Sequence, residues 1–238
     1  MTGDFTLFTD FPCFYTEGGS ILASKFDAMQ IIIVNGNPDG QNEAFEEYLM
    51  EYQNKFSAAG HNVRIIMLRD MKLGFCMGCF NCWHTTPGIC SIDDDIKHIH
   101  QAVINADLVV WSSPLVKGFF TSLLKKVQER MIPLLHPYVE LVNGEIHHRR
   151  RYGHYPGYGV IVEKEADSDS EEMRIMRKIQ ERYALNFRSE LNFFLTTETP
   201  VSEAIRETIR SIRANGALRL KCEPMAEPAL TLYTCSLN

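Results

Sequence analysis

Four of the chain's seven cysteines fall within the fifteen residues CMGCFNCWHTTPGIC, from Cys76 to Cys90. Thiolates are soft metal ligands, nucleophiles and redox centres, so clustering at this density implies a site. The spacing Cys76-x2-Cys79-x2-Cys82-x7-Cys90 admits three chemistries. Three close ligands and one remote ligand suit a [4Fe–4S] cluster on a compact loop. Free thiols, redox active as CxxC pairs, are the second reading. Structural zinc is the third, although zinc sites more often set two CxxC pairs well apart, so that the intervening loop closes a tetrahedron. Gly78, Pro87 and Gly88 permit the tight turns that any of these needs. An odd cysteine count in a reducing compartment points away from disulfide staples.

Two further stretches carry candidate binding residues. The turn Asn35, Gly36, Asn37, Pro38, Asp39, Gly40, Gln41, Asn42 follows the apolar run Ile31 to Val34 and precedes a helical pattern. Backbone amides at such a helix start bind phosphate, glycines allow close approach, and Asn37, Gln41 and Asn42 add side-chain donors. The plainer alternative is a β-to-α turn rich in turn formers. The stretch Ser113, Pro114, Leu115, Val116, Lys117 and Gly118 is placed where a flat ring can lie against backbone and apolar side chains, with Trp111 and Phe119 read as core. The basic run His147, His148, Arg149, Arg150, Arg151 with His154 reads as a solvated strand edge; its functional alternative is an arginine fork for a nucleotide phosphate such as the 2′-phosphate of NADPH. The acidic groups Asp93–Asp95 and 163–172 read as helix-start charges. No nucleophile elbow or metal-hydrolase spacing occurs, so a hydrolase is not supported, and no side chain is singled out as a general base.

The elements that must position these residues follow a βαβ rhythm. Short apolar runs at 31–34, 62–68, 108–111, 158–162 and 191–195 are expected parallel strands, buried on both faces. Between them lie amphipathic stretches: Phe45, Leu49, Tyr52 and Phe56 ending near Gly60; Ile96, Ile99, Val103 and Ile104 after the acidic start; Phe119 to Met131 up to Pro133; a helix capped by Ser168 and Glu171; and a last helix from Thr199–Pro200 to Gly216. Asn143-Gly144 marks an inserted β-hairpin at about 137–150. The expected fold is α/β, a flavodoxin-like doubly wound sheet of five parallel strands in the order 2-1-3-4-5, binding ligands at the carboxyl ends of strands one, three and four. The cysteine loop, 73–92, is expected at the same edge. Residues 1–28 form an N-terminal arm, 29–216 the domain and 217–238 a tail. A net charge of −6 gives no general attraction to nucleic acid or anionic membrane, and no apolar run reaches the ~20 residues of a span. A soluble, cytoplasmic protein is expected.

Through the first strand, the cysteine loop and SSPLVKGFF, most of residues 29–215 resemble the NAD(P)H-dependent FMN reductases of flavodoxin fold, in particular their iron–sulfur flavoprotein branch. That branch carries CxxCxxC plus one further Cys and an Asp pair, matched here by Cys76, Cys79, Cys82, Cys90, Asp93 and Asp94; many members also read CxGCxxCW with Pro-Gly before the last Cys, as Trp83, Pro87 and Gly88 do. The resemblance implies FMN on the loops after strands one and three, a [4Fe–4S] cluster on the four cysteines, and NAD(P)H or a protein electron partner. It also implies a homodimer or homotetramer that brings flavin and cluster close across subunits. The implied function is an FMN-dependent oxidoreductase or electron-transfer flavoprotein. The alternative is a flavodoxin-fold binding module without flavin, whose cysteines are structural or bind zinc. The chain departs from the family at three places. Its phosphate loop, NGNPDGQN, has neither the usual Arg nor a hydroxyl. Pro114-Leu115-Val116 replaces Pro-x-Tyr, removing an aromatic from near the flavin. EKEADSD replaces a glycine-bearing loop and brings negative charge that disfavours an anionic reduced flavin.

Overall fold

In the computed structural model, which describes residues 28–219, alternating side chains of each central strand serve two different cores. On β1 (Gln30–Asn35), Ile31 and Ile33 point to one face of the sheet, Ile32 and Val34 to the other. The first face packs on α1 (Glu43–Ala58) through Phe45, Leu49, Tyr52 and Phe56, and on α6 (Val201–Arg219) through Val201 and Ala204. The second packs on α3 (Ile96–Ile104), α4 (Ser122–Glu129) and α5 (Ser170–Asn186). Burial on both faces is what makes the strands continuous apolar runs.

The parallel strands are β1, β2 (Asn62–Met67), β3 (Leu108–Val116), β7 (Gly157–Glu163) and β8 (Leu191–Thr196), hydrogen-bonded in the order β2-β1-β3-β7-β8. Counting parallel strands alone, this is the expected 2-1-3-4-5 flavodoxin-like order. The inserted hairpin pairs β5 (Leu135–Val142) with β6 (Glu145–Arg150) as a separate two-stranded sheet, turning at Asn143 and Gly144, both at positive φ. Among the described residues no helix is long and apolar enough to cross a membrane.

Four local expectations are corrected. The third strand runs on to Val116, its ladder with β7 continuing to the Pro114–Glu163 pair. It then folds back through Lys117 and Gly118, both at positive φ, onto β4 (Phe119–Phe120). Phe119 is therefore an exposed hairpin residue, and α4 begins only at Ser122 with Thr121 as its cap. Asp169, not Ser168, caps α5, accepting from the Glu172 amide. The helix expected from Asp93 starts at Ile96, because Asp94 and Asp95 are engaged elsewhere. The last helix continues through Gly216 to Arg219. Apart from Ala28, the expected arm lies outside the described residues, as does the tail beyond Arg219.

Packing in the sheet requires a glycine at position 159. At Gly159 in β7, an added Cβ would fall 2.2 Å from Cζ of Phe193, itself 1% exposed. With a buried ring unable to yield, Gly159→Ala is expected to destabilise the domain by about 1–3 kcal/mol, the usual range for overpacking, read as a lower urea midpoint at unchanged slope.

Candidate functional site

The cysteine loop leaves β2 through a short 3-10 turn (Leu68–Asp70) and an extended stretch, then turns sharply at Gly78 and Phe80, both left-handed, into the single-turn helix α2 (Asn81–His84). The indole Nε1 of Trp83 donates to the carbonyls of Ile132 and Leu135, at 3.1 Å each, and pins that turn to the base of the hairpin. Gly88, at φ 85°, lets the chain return so that its amide reaches the Cys82 carbonyl at 2.9 Å. As a result all four thiols wall one open pocket, together with Phe80, Ser91, Arg130 and Pro133. Cys82 is buried, Cys90 half-buried, Cys76 and Cys79 exposed. Among the described residues no three Cys, His, Asp or Glu side chains converge on a single metal-ion position. Burial, reinforced by the charges of Cys90, Cys76 and Cys79, pushes the Cys82 thiol up to about 11, whereas the Asn81 amide and the Ser91 hydroxyl lower that of Cys79.

At the floor of the pocket lies a buried ion pair. Arg130, just past α4, donates Nη1 to Asp94 Oδ2 at 2.5 Å and Nη2 to Oδ1 at 2.9 Å, with both side chains nearly inaccessible. The guanidinium also reaches the Gly74 carbonyl at 3.0 Å and Cys90 Sγ at 3.2 Å, while Nε has no partner among the described residues. Asp94 completes its shell with the amides of Gly74 at 2.7 Å and Ile96 at 3.2 Å. Burial alone would raise the Asp94 pKa, but the Arg130 and amide hydrogen bonds outweigh it and hold the carboxyl below its ordinary value. The Arg130 carbonyl accepts from His100 Nε2 at 2.7 Å; burial pushes that imidazole down to about 4, so it stands neutral.

The thiols do not lie at the strand ends themselves. The pocket is walled by residues beyond the last turn of α4, Arg130 and Ile132, whereas the loop after β1 touches its first turn, where a Cβ on Gly36 would meet Leu124 Cβ at 2.5 Å. A helix of this length spans about 12 Å, so the loop leaves β2 at the ligand edge but carries its cysteines down the side of α4.

At the strand ends, the predicted loops do meet. Gly36 donates to the Ser112 carbonyl at 2.8 Å and accepts at 2.6 Å from Thr121 Oγ1, whose hydroxyl also caps α4. Asn42 caps α1 and donates to Glu163 at 2.6 Å; the Gly118 amide donates to Glu165 at 3.1 Å. The turn is laced internally. Asn35 Oδ1, Asn37 Oδ1 and Asp39 Oδ1 accept from the amides of Asn37, Asp39 and Gln41, and the carboxamides of Asn35 and Asn37 donate to Glu46 at 3.0 and 2.8 Å. Gly40 and Gln41 face solvent, Leu115 is buried and Val116 exposed, while Ser113 Oγ accepts from the Thr121 amide at 3.1 Å.

Three residues of this arrangement were not singled out in the sequence. Arg69, in the turn after β2, pairs with Glu46 at 2.6 Å, and a Cβ on Gly40 would lie 3.9 Å from its Nε; its place just past a strand end was the available signal. Glu46 was hidden among helix-start acids. Arg130 stands three residues after Val127 on the inward stripe of α4, and only its charge disguised its burial. The basic run, by contrast, serves the hairpin: Arg149 pairs with Glu140 at 3.6 Å, Arg150 donates to the Arg188 carbonyl, Arg151 to those of Pro133 and Leu135, and His147 is buried against Asn186. These cations form no common fork for a nucleotide phosphate.

The family model described as NADPH-dependent FMN reductase matches residues 29–149, just over half of the chain. The chain belongs to that family. Among curated relatives, it is 32% identical over 103 residues to an iron-sulfur flavoprotein of Archaeoglobus fulgidus, covering 43% of this chain and 48% of the relative. It is 29% identical over 106 residues to an iron-sulfur flavoprotein of Methanocaldococcus jannaschii, covering 44% and 53%. The chain thus spans about half the length of the curated relatives it matches. An NAD(P)H:quinone oxidoreductase from Methanothermobacter marburgensis shares the fold at TM-score 0.55 and 16% identity, covering 81% of this chain and 100% of that one. RosB with a bound flavin intermediate does so at 0.53 and 10%, covering 89% and 94%.

The ion pair yields a stability test. Asp94→Ala leaves a charged guanidinium buried without its counter-ion and is expected to cost about 3–5 kcal/mol. Because the folded-state pKa of Asp94 is lowered, its contribution is complete above the unfolded carboxylate value of about 3.9 and is lost as pH falls through the folded value. Urea midpoints of wild type and variant are therefore expected to converge on acidification below about pH 4.

Proposed function

We propose that this chain is an FMN-dependent oxidoreductase or electron-transfer flavoprotein, with flavin at the carboxyl ends of β1 and β3 and a [4Fe–4S] cluster on Cys76, Cys79, Cys82 and Cys90. The observation that carries the reading is that one loop of a flavin-reductase fold sets four thiols around a single pocket. Mononuclear zinc needs all four sulfurs about 2.3 Å from one point, whereas a cluster is held at the corners of a cage. The buried Arg130 Nε–H, a donor without a partner among the described residues, fits a site completed by acceptor sulfurs, and the raising of the Cys82 thiol by burial and by the other thiols fits thiolates gathered to be neutralised by a cationic iron core. When bound, flavin supplies hydride and single-electron chemistry and the cluster single-electron storage; the protein positions and insulates.

For FMN, the loop residues Asn35, Gly36, Asn37, Gly40, Gln41 and Asn42 form the phosphate side of the proposed site, and Ser113 to Gly118 the ring side. Because the amides of Asn37, Asp39 and Gln41 are held within the turn, the cation that the loop itself lacks is supplied by Arg69, beside exposed Gly40. NAD(P)H is the proposed co-substrate. Exposed Phe75, Met77 and Ile89 around the thiols suit contact with a second subunit or a protein electron partner.

A second reading, a flavin-free module with structural or zinc-bound cysteines, is favoured by the carboxylates of Glu163 and Glu165, which hold the Asn42 carboxamide and the Gly118 amide. Anaerobic purification separates the two. Flavin absorbance with iron and sulfide near four per chain is expected; a colourless protein with stoichiometric zinc contradicts the proposal.

Two variants test its parts. Cys79→Ser is expected to lose iron yet retain FMN, since the sites use different loops; unchanged iron refutes the ligand assignment. Arg69→Ala removes a charge-assisted hydrogen bond of about 1.5–3 kcal/mol, so FMN affinity, followed by fluorescence quenching, is expected to fall by roughly tenfold or more while riboflavin affinity holds.

A further inference from the structure

We propose that Arg130 is a positioning residue for the metal site, holding Cys90 as the fourth, remote ligand and raising the reduction potential of the group bound there. The inference rests on the cluster reading above and concerns a residue outside the cysteine motif, forty positions from its partner thiol.

Cys76, Cys79 and Cys82 sit on consecutive short spacings, and the turn geometry of their own segment places them. Cys90 does not share that restraint, because seven residues separate it from Cys82. Its Sγ is instead met by Arg130 Nη2 at 3.2 Å. The same guanidinium grips the start of the loop at the Gly74 carbonyl, 3.0 Å away, and is itself fixed by two bonds to Asp94, whose carboxylate accepts the Gly74 amide. One planar, buried cation thus ties the entry of the loop, its last thiol and the chain beyond it into a closed ring of contacts. Arginine suits this task because its donors lie in one rigid plane and serve several acceptors at once; lysine offers a single point charge.

The second consequence is electrostatic. Hydrogen bonds to ligand sulfurs, and positive charge in a buried setting, favour the more negative, reduced state of a thiolate-held iron–sulfur group. Asp94 offsets the charge of Arg130 in the far field, but Nη2, which donates both to Asp94 Oδ1 and to Cys90 Sγ, sets an N–H directly against the sulfur, so at Cys90 the donor N–H is the nearer influence.

The decisive variant is the double replacement Asp94→Asn with Arg130→Gln. It removes both charges together, leaves no unpaired buried ion and keeps the net charge of the site unchanged, so a shift in potential reports the lost bond to sulfur. Arg130→Lys serves as the conservative partner. Anaerobically purified protein is assayed for iron, for the rate of iron loss to a chelator, for the reduction potential of the cluster by a spectroscopic redox titration, and for flavin content. The expected result is iron release faster by about 10–100-fold, the usual size of an outer-shell effect on metal affinity, a lower cluster potential in the double variant, a smaller change in Arg130→Lys, and flavin content as in wild type. A double variant that folds, holds flavin and keeps both the wild-type potential and the wild-type rate of iron loss overturns the role of Arg130 alone. A wild-type protein without iron overturns the cluster reading on which it rests.

Discussion

A carboxylate and a guanidinium buried together lose their hydration, and their attraction compensates only if the remaining donors and acceptors are also matched. Asp94 and Arg130 meet that condition at every atom but Arg130 Nε by drawing the backbone around them. Asp94 takes the amides of Gly74 and Ile96, and Arg130 takes the Gly74 carbonyl and the Cys90 sulfur. The pair therefore does more than contribute stability. It dictates where the cysteine loop begins, where it ends and how α3 starts, because any other path would leave a buried charge incompletely satisfied.

That constraint is transmitted through α4. Thr121 caps its first turn and donates to the loop after β1, and Leu124 packs under Gly36. Beyond its last turn stands Arg130. Lys126 between them donates to the Leu73 carbonyl and lies over the Phe75 ring at 4.3 Å. One short helix thus carries the strand-end loops at one end and the thiol pocket at the other, so the two candidate cofactor sites share a rigid mount. Leu124 and Val127 of α4 share one buried core with Val109, Trp111 and Val160 of the sheet.

The sheet was legible because its signal is redundant: five apolar runs with interleaved amphipathic stretches have few arrangements other than a doubly wound parallel sheet. The cysteine pocket was legible because spacing alone brings Cys76, Cys79 and Cys82 together. Long-range polar partners were not. Nothing local tells that Asp94 leaves the helix start to meet Arg130, 36 residues on, or that Asn35 and Asn37 turn inward onto Glu46 and leave the outer surface of the turn to Arg69. The extension of β3 to Val116 was missed for a related reason. Its continuation depends on the ladder to β7, whereas the apolar run read as the strand stops at Trp111, where Ser112 and Ser113 begin.

The geometry of the thiol pocket is tested most directly by diffraction at the iron absorption edge from crystals grown without air. A four-iron anomalous peak within the pocket walled by Cys76, Cys79, Cys82 and Cys90, with Arg130 Nη2 still in hydrogen-bonding reach of Cys90 Sγ, is the predicted result. A single-atom peak, no peak, or a cluster bound with Arg130 turned away from Cys90 would contradict it.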